Sequence, residues 1–568
     1  MLDPSIPLHV FPLSASTDSL ETFAQLRDWL DICLRTHERC IFGNSSAFLP
    51  SRLLKLWNTP TGKKFSLVLQ DDCPPDTRYM TLSHCWGDAP ADKLRLLNEN
   101  YHTLQQGQSL SSLPPTFRDA FDIVDKLNIQ YLWIDRLCIF QDSKEDWSNE
   151  SAAMQDVYRH SFLNVSAHGA FDDRDGCFFD RDGSQTHLPG MKIDLGSCQR
   201  PQHFTCKASI ACYINHLTSK GSIVDRGWIL QERLLAPRVV HFGRKEILWE
   251  CNTSNSCESF PDNLTKFDLT KFDCGGPDFV ARPTWKNLLG GGSPAKVLEE
   301  DFKAPGQELL RDWISVVCNF SSTRLSVPSD KLVAISGLAK DMKKRLQENN
   351  MQRQKPLGDS TQNSAVYLAG LWEEMLPMGL MWRVPSQPLP RPEYRAPSWS
   401  WASVEGPVDF YFAFMNHEST ALLASVDHVE VFPLRDETGE VLDGTLTMTS
   451  SIFVARSPSR KGSRGWPHCS DIQDFPYIPD PRISSLQSKI VDWDTTEQPE
   501  EVYCLPMASK SYRSIRSRRR RYFSLEGLAL KPVGEKFSRV GRFGITADEL
   551  DAFEEFLQQI PKRTVKII

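Results

Sequence analysis

Tyr79-Met-Thr-Leu-Ser-His-Cys-Trp-Gly87 opens as strand-like text and ends abruptly in small, polar and ionisable residues. Further along, Tyr131-Leu-Trp-Ile-Asp-Arg-Leu-Cys-Ile139 repeats the pattern. Buried strands of an open α/β sheet read this way when their ends carry chemistry. Between the two runs, Pro114-Pro115 introduces Thr116–Leu127, whose Phe117, Ala120, Phe121, Val124 and Leu127 form the apolar stripe of a helix. A second amphipathic helix is predicted over Glu145–Tyr158, with Trp147, Met154, Val157 and Tyr158 inward, and a third strand over Phe162–Ala167. Strand, helix, strand, helix and strand at these lengths imply a parallel sheet with right-handed crossovers.

Outward from this core, residues 1–78 read as a helical lead-in, with a helix over Phe23–Cys40. Trp29, Cys33, His37 and Cys40 share one face of it. Three of these are zinc-type ligands, but a zinc site needs a fourth from elsewhere. The reading taken is a buried thiol-rich face, with no metal assigned. Asp172 to Lys220 is irregular and reads as an insertion or lid. A short helix follows at Gly227–Leu235, stopped by Pro237, and then a hairpin of Arg238–Phe242 and Glu246–Cys251. The α/β domain is therefore assigned to 79–250. A glycine-rich linker is expected at 251–305, a helical segment at 306–395 and a β-rich region at 396–568. Within that last region, Ser/Pro/Arg-rich 455–520 reads as loop or disorder.

The chain has 568 residues, a net charge of −7, 40% hydrophobic and 24% charged residues. These are globular values without a general attraction to nucleic acid or anionic membranes. No signal-like segment and no 18-residue apolar run appears, so the expected location is cytoplasmic and no membrane partner is expected. The fifteen cysteines are then reduced thiols. Arg516-Ser-Arg-Arg-Arg-Arg521 reads as a solvated loop, with a nuclear-import address as the alternative.

Several ordered motifs carry a resemblance. Leu82-Ser-His-Cys-Trp-Gly87, Leu113-Pro-Pro, Tyr131-Leu-Trp-Ile-Asp135, Leu137-Cys-Ile139 with Gln141, Met154 with Tyr158, and Arg226-Gly-Trp-Ile-Leu-Gln-Glu-Arg233 together resemble the fungal heterokaryon-incompatibility (HET) domain. Ser161 and Phe140 depart from its usual pattern. Asp330-Lys-Leu, Tyr394-Arg-Ala-Pro-Ser-Trp-Ser-Trp-Ala-Ser403 and Arg539-Val-Gly-Arg-Phe543 are similar to the tails of such proteins. The resemblance implies fungal nonself recognition and regulated cell death, and a TIR-like, flavodoxin-like parallel α/β fold. Several TIR domains cleave NAD with a glutamate four residues after a helix-starting tryptophan, the spacing of Trp228 and Glu232 here.

Cleaving the nicotinamide–ribose bond passes through an oxocarbenium-like transition state and needs a nearby carboxylate. Glu232 and Asp135 are the candidate catalytic residues. Ser83, His84, Trp86, Gly87, Arg226 and Arg233 are candidates for binding NAD as substrate: Gly87 for close backbone approach, Trp86 for stacking, the arginines for phosphate. The plain structural alternatives are an ion pair of Glu232 with Arg226 or Arg233, Asp135 as a helix cap, and Trp86 as packing. Cys138, with His84 or His168 as base, reads as a buried thiol rather than a nucleophile. No phosphate-cradling glycine motif is present, and no cofactor is expected. Two other functions compete: a non-enzymatic module acting by self-association, and an enzyme of another class using the same cleft. Any trigger would be an unknown protein partner or the C-terminal half.

Overall fold

Strand β3 (Tyr79–Ser83) is buried at every position and lies at the centre of a nine-stranded sheet. The structure is a computed structural model that describes residues 13–41, 48–60, 62–87, 94–181, 223–261, 307–353, 365–410, 419–456, 488–499, 501–514, 517–547, 558 and 560–568. The chain divides into two units, Met1–Glu299 and Glu300–Ile568.

In the first unit, α1 spans Leu20–Thr36, β1 Arg52–Thr59 and β2 Gly62–Leu69. After β3 come the short β4 (Gln108–Ser109), α2 (Pro115–Lys126), β5 (Tyr131–Trp133), α3 (Lys144–Arg159) and β6 (Leu163–Ser166). Then follow α4 (Gly227–Leu235), β7 (Arg238–Phe242), β8 (Ile247–Cys251) and β9 (Asn255–Cys257). The sheet order is β4-β2-β1-β5-β3-β6-β7-β8-β9. Its centre, β5-β3-β6-β7, is parallel, and antiparallel strands extend both flanks. The path runs from β3 outward to β5, then returns across β3 to β6. Right-handed crossovers therefore put α2 on one face and α3 with α4 on the other. The chain thus changes winding direction between β3 and β6, which is where open α/β sheets gather ligands.

The elements form for local reasons. Ser19 caps α1 by accepting from the Thr22 amide, and Ser143 caps α3 by accepting from that of Asp146. Pro115 starts α2, where its missing N–H costs nothing. Burying Phe117, Ala120, Phe121 and Val124 then holds α2 to the sheet, at about 25 cal/mol per Å² of apolar surface removed from water.

Three expectations need correction. The lead-in over 1–78 is not helical throughout: β1 and β2 pair from Arg52↔Leu69 to Thr59↔Gly62 and join the sheet beside β5. The positive φ of Gly62 (120°) fits that turn. Trp147 is not inward; it is 37% exposed and meets the Trp228 ring edge-on at 6.4 Å. The expected linker begins later than residue 251, because β9 pairs with β8; the expected linker's remainder from 262 lies outside the described residues. Of the expected lid, Asp172 to Arg181 is anchored. Asp173 pairs with buried Arg136 at 2.7 Å, the Asp119 carboxylate accepts from the Cys177 amide, and Arg181 pairs with Glu258. Residues 182–222 lie outside the description.

The second unit has α5 (Gln307–Ser321), α6 (Val333–Arg353) and a small hairpin of β10 (Tyr367–Leu368) and β11 (Leu371–Trp372). Strands β12 (Ser419–Leu422), β13 (Ser425–Pro433), β14 (Val441–Ser451), β15 (Phe453–Arg456) and β16 (Ser488–Trp493) follow. With β17 (Glu501–Ser514), β18 (Ser517–Val533), β19 (Lys536–Ala547) and β20 (Lys562–Ile567) they form one sheet. The 455–520 stretch is therefore largely strand where it is described, and residues 457–487 lie outside the description. Within the basic run, Ser517 to Arg521 belong to β18 and pair with β17, whereas Arg516 is outside the described residues. The Ser-Trp-Ser-Trp motif is a core element. Trp399 and Trp401 are fully buried with Trp313, Trp372 and Trp382. The indoles of Trp313 and Trp401 both donate to the carbonyl of Gly370, at 2.9 and 2.8 Å. Gly370 has φ +105°, and a Cβ there would meet Trp401 Nε1 at 2.5 Å, so glycine is required on both counts. Among the described residues no helix is long and apolar enough to cross a membrane.

Candidate functional site

Thr81 and Ser83 on β3 lie beside Asn164 and Ser166 on β6, in parallel register. Here the buried strands carry polar side chains, which must find partners. They form a chain. Thr81 Oγ1 donates to Asn164 Oδ1 at 3.0 Å, Asn164 Nδ2 donates to Ser83 Oγ at 3.0 Å, and Ser83 Oγ donates to the Glu232 carboxylate. Glu232 comes from α4, which follows β6 and leads into β7. It is 3% exposed, and the Tyr158 hydroxyl of α3 faces the same carboxylate. Burial pushes the Glu232 carboxyl up to about 7, and the nearby Asp135 charge adds to the rise. Ser83, Arg226 and Tyr158 work in the opposite direction.

Asp135 opens a one-turn helix, Asp135–Cys138, just beyond β5. Its Oδ1 accepts from the Arg136 amide at 2.6 Å and its Oδ2 from Trp86 Nε1 at 2.9 Å. The His84 ring approaches the same carboxylate, with Nδ1 3.8 Å from Oδ1. The side chain is 19% exposed, and burial raises its carboxyl above the usual range against the pull of Arg226 and the Trp86 bond. Asp135 thus holds the first turn of this helix and the Trp86 indole without being its N-cap, which is Ile134, and also acts electrostatically on Glu232. Replacing it with Asn keeps the shape and removes the like charge. Asp135→Asn should therefore lower the pKa of Glu232 and shrink the stability lost as pH rises toward neutrality; melting curves across pH 5–9 check this.

The remaining candidates divide. Arg226 precedes the first residue of α4, donates to the His84 carbonyl and draws both carboxyls downward, so it belongs to the cluster. Arg233 is committed elsewhere: its Nε and NH2 bind Glu250 at 2.7 and 3.1 Å, and His241 joins at 3.2 Å. Neither arginine clasps Glu232 in an ion pair among the described residues. Trp86 stacks nearly parallel to His84, 13° between planes with centroids 6.5 Å apart, and Gly87 beyond it is exposed with φ +68°. Cys138 is buried, and desolvation pushes its thiol up to about 12, so it is inert at neutral pH.

Asn164 and Tyr158 were not among the sequence candidates. Asn164 had a signal, an amide in the middle of an apolar strand. Tyr158 stands among the family-like motifs, but its aromatic ring also satisfies the helix stripe, which hides a role for its hydroxyl. Beside the chain, Ser83, Asn164, Ser166, His168, Arg233 and His241 line a cavity of about 10 Å³, room for about one water molecule. Small-molecule sites are usually about 300–1,000 Å³, so this cavity by itself is far too small for a nucleotide.

No curated protein and no solved structure matches the chain. A family model described as heterokaryon incompatibility protein (HET) matches residues 79–232, a span that runs from the first residue of β3 to Glu232 itself. The stretch that builds the polar cluster is the stretch that defines the family: the chain carries a HET domain.

Proposed function

We propose that the chain acts in heterokaryon-incompatibility-type nonself recognition and that its HET domain cleaves NAD between nicotinamide and ribose. The observation that carries the chemical part is Glu232: a carboxylate titrating near neutrality, bonded to Ser83 at the edge of parallel strands. The order β5-β3-β6-β7 corresponds to the 2-1-3-4 order of flavodoxin-like sheets, and α4 sits between the third and fourth parallel strands. A TIR-like domain would carry its glutamate on that helix.

In the proposed reaction the C–N bond to nicotinamide breaks and the leaving group departs neutral, since it was a pyridinium cation. Positive charge then develops on the ribose, which the Glu232 carboxylate stabilises. Water adds to the anomeric carbon and gives its proton to Glu232, then to solvent. The products are nicotinamide, ADP-ribose and one proton. Because the ionised form is needed, the rate should rise with pH through about 7. The test is to incubate the purified full chain at high concentration with NAD and quantify nicotinamide. Release supports the reading; no release at any concentration removes the chemistry and leaves the family assignment.

A second reading is favoured by one observation, the water-sized volume of the cavity beside Ser83 and Asn164. Here the domain acts by self-association, and Glu232 orders the fold. Growth arrest in yeast on expression, with cellular NAD unchanged and Glu232→Gln equally active, would select it.

A further inference from the structure

A cluster at the end of α1 takes no part in this chemistry. Cys33 and His37 are one helical turn apart, Cys40 lies in the following one-turn helix Glu38–Ile41, and Cys251 ends β8. One ligand atom from each of these four lies within 4.8 Å of the others, and no other group of three or more such side chains converges among the described residues. Cys251 Sγ and His37 Nδ1 are 3.4 Å apart. A tetrahedral zinc ion, with bonds of about 2.3 Å to sulfur and about 2.0 Å to nitrogen, sets its ligand atoms roughly 3.5–3.8 Å apart. The four donors need to close by at most about 1 Å to meet that figure. Cys33, Cys40 and Cys251 are buried, so water does not compete for the position.

Arg238 gives independent support. It is fully buried, and its guanidinium donates to Cys33 Sγ at 3.3 Å and to the carbonyls of Phe162 and Cys40 at 3.1 and 2.8 Å. Among the described residues it has no carboxylate partner, and a buried cation without a counter-charge is costly. Three thiolates and a histidine around a dication carry a net charge of −1, which is the charge Arg238 lacks. The backbone amides of Thr253 and Ser254 also point at Cys251 Sγ, at 3.5 and 3.2 Å. Such outer donors orient and stabilise a ligating sulfur.

We propose that Cys33, His37, Cys40 and Cys251 bind one zinc ion in a closed structural site. With all four positions supplied by protein, no open position remains for water or substrate. Soft sulfur with one imidazole in a tetrahedral arrangement selects zinc among abundant ions. The ion clasps α1 to the antiparallel flank of the sheet, joining segments far apart in sequence. Binding releases the thiol protons that remain.

The test uses the full chain purified in reductant without chelator or added metal. Mass spectrometry should find about one zinc per chain. Cys251→Ser should lose nearly all of it, and Cys73→Ser, a partly exposed cysteine outside the cluster, should keep it. Cobalt exchanged into the wild type should give the charge-transfer and ligand-field bands of tetrahedral thiolate coordination. His37→Cys should bind cobalt with stronger sulfur charge transfer, which keeps the test decisive if Cys251→Ser fails to fold. Chelation should lower Tm by more than about 10 °C. A folded wild type free of zinc and without the cobalt–thiolate bands overturns the proposal, as does full zinc retention by Cys251→Ser. Iron in place of zinc overturns the metal assigned.

Discussion

Glu232→Gln should abolish the proposed NAD cleavage and at the same time make the protein more stable above pH 7. The two effects have one cause. Burial favours the neutral carboxyl, so the folded pKa of about 7 lies above the ordinary carboxyl value. A group raised in this way stabilises the fold fully below the unfolded pKa and loses that contribution as pH rises through the folded one. Holding the ionised form in the fold therefore costs about 3 kcal/mol by pH 8, at roughly 1.4 kcal/mol per pKa unit. Glutamine keeps an oxygen to accept from Ser83 and has no proton to lose. The Tm advantage of the variant should be small at pH 5 and reach roughly 5–10 °C at pH 8. Catalysis should fall at least about 100-fold, as for loss of a group that stabilises developing charge. A variant less stable than wild type at pH 8 would mean that Glu232 is held ionised by partners and is a structural ion.

The largest stability effect lies in the second unit. Arg539→Ala should cost roughly 3–5 kcal/mol. Its guanidinium is fully buried and grips Asp494, also fully buried, through Nε at 2.8 Å and NH2 at 3.1 Å. Its other donors go to the carbonyls of Leu380 and Trp382, both at 2.6 Å, and its Cζ lies 3.4 Å from the centroid of the Trp382 ring. Removing it strands a buried carboxylate and two buried carbonyls, which is the expensive way to break such a pair. Differential scanning calorimetry should show the fall as roughly 10 °C in Tm. Lys343→Ala, which removes an ion pair to a largely exposed Glu437, should shift Tm by no more than about 1 kcal/mol allows. Combining Arg539→Met with Asp494→Leu should recover part of the loss, because an apolar pair leaves no buried charge behind.

The parallel core was legible because its strands are short apolar runs separated by helices with a clear stripe. β3, β5 and β6 could be read from Tyr79, Tyr131 and Leu163 onward, and α2 from Phe117 to Val124. The β1–β2 hairpin was missed because Arg52, Lys55, Lys63 and Lys64 interrupt the alternation, and only its pairing across Thr59 and Gly62 reveals the strands. Composition misled for 501–520. A serine- and arginine-rich segment reads as solvated loop, yet β17 and β18 form a long hairpin whose order comes from cross-strand pairing, a non-local property. At the site, Ser83 and Asp135 stand at or just beyond strand ends, where the text changes from apolar to polar, whereas Glu232 lies inside a helix and came from the family resemblance and its spacing from Trp228. The bond from Ser83 to Glu232 joins residues distant in sequence, and so does the approach of Cys251 to His37. Local periodicity cannot register either one; only the sheet order brings those partners together.

In the proposed reaction everything turns on the Glu232 carboxylate, which ionises near neutrality. The most direct measurement is nicotinamide release from NAD by the full chain and by Glu232→Gln, side by side from pH 5.5 to about 8.5. Release by the wild type should climb through about pH 7, and the variant should release none. Equal release by both proteins, or a wild-type rate that falls across that range, would contradict this role of Glu232.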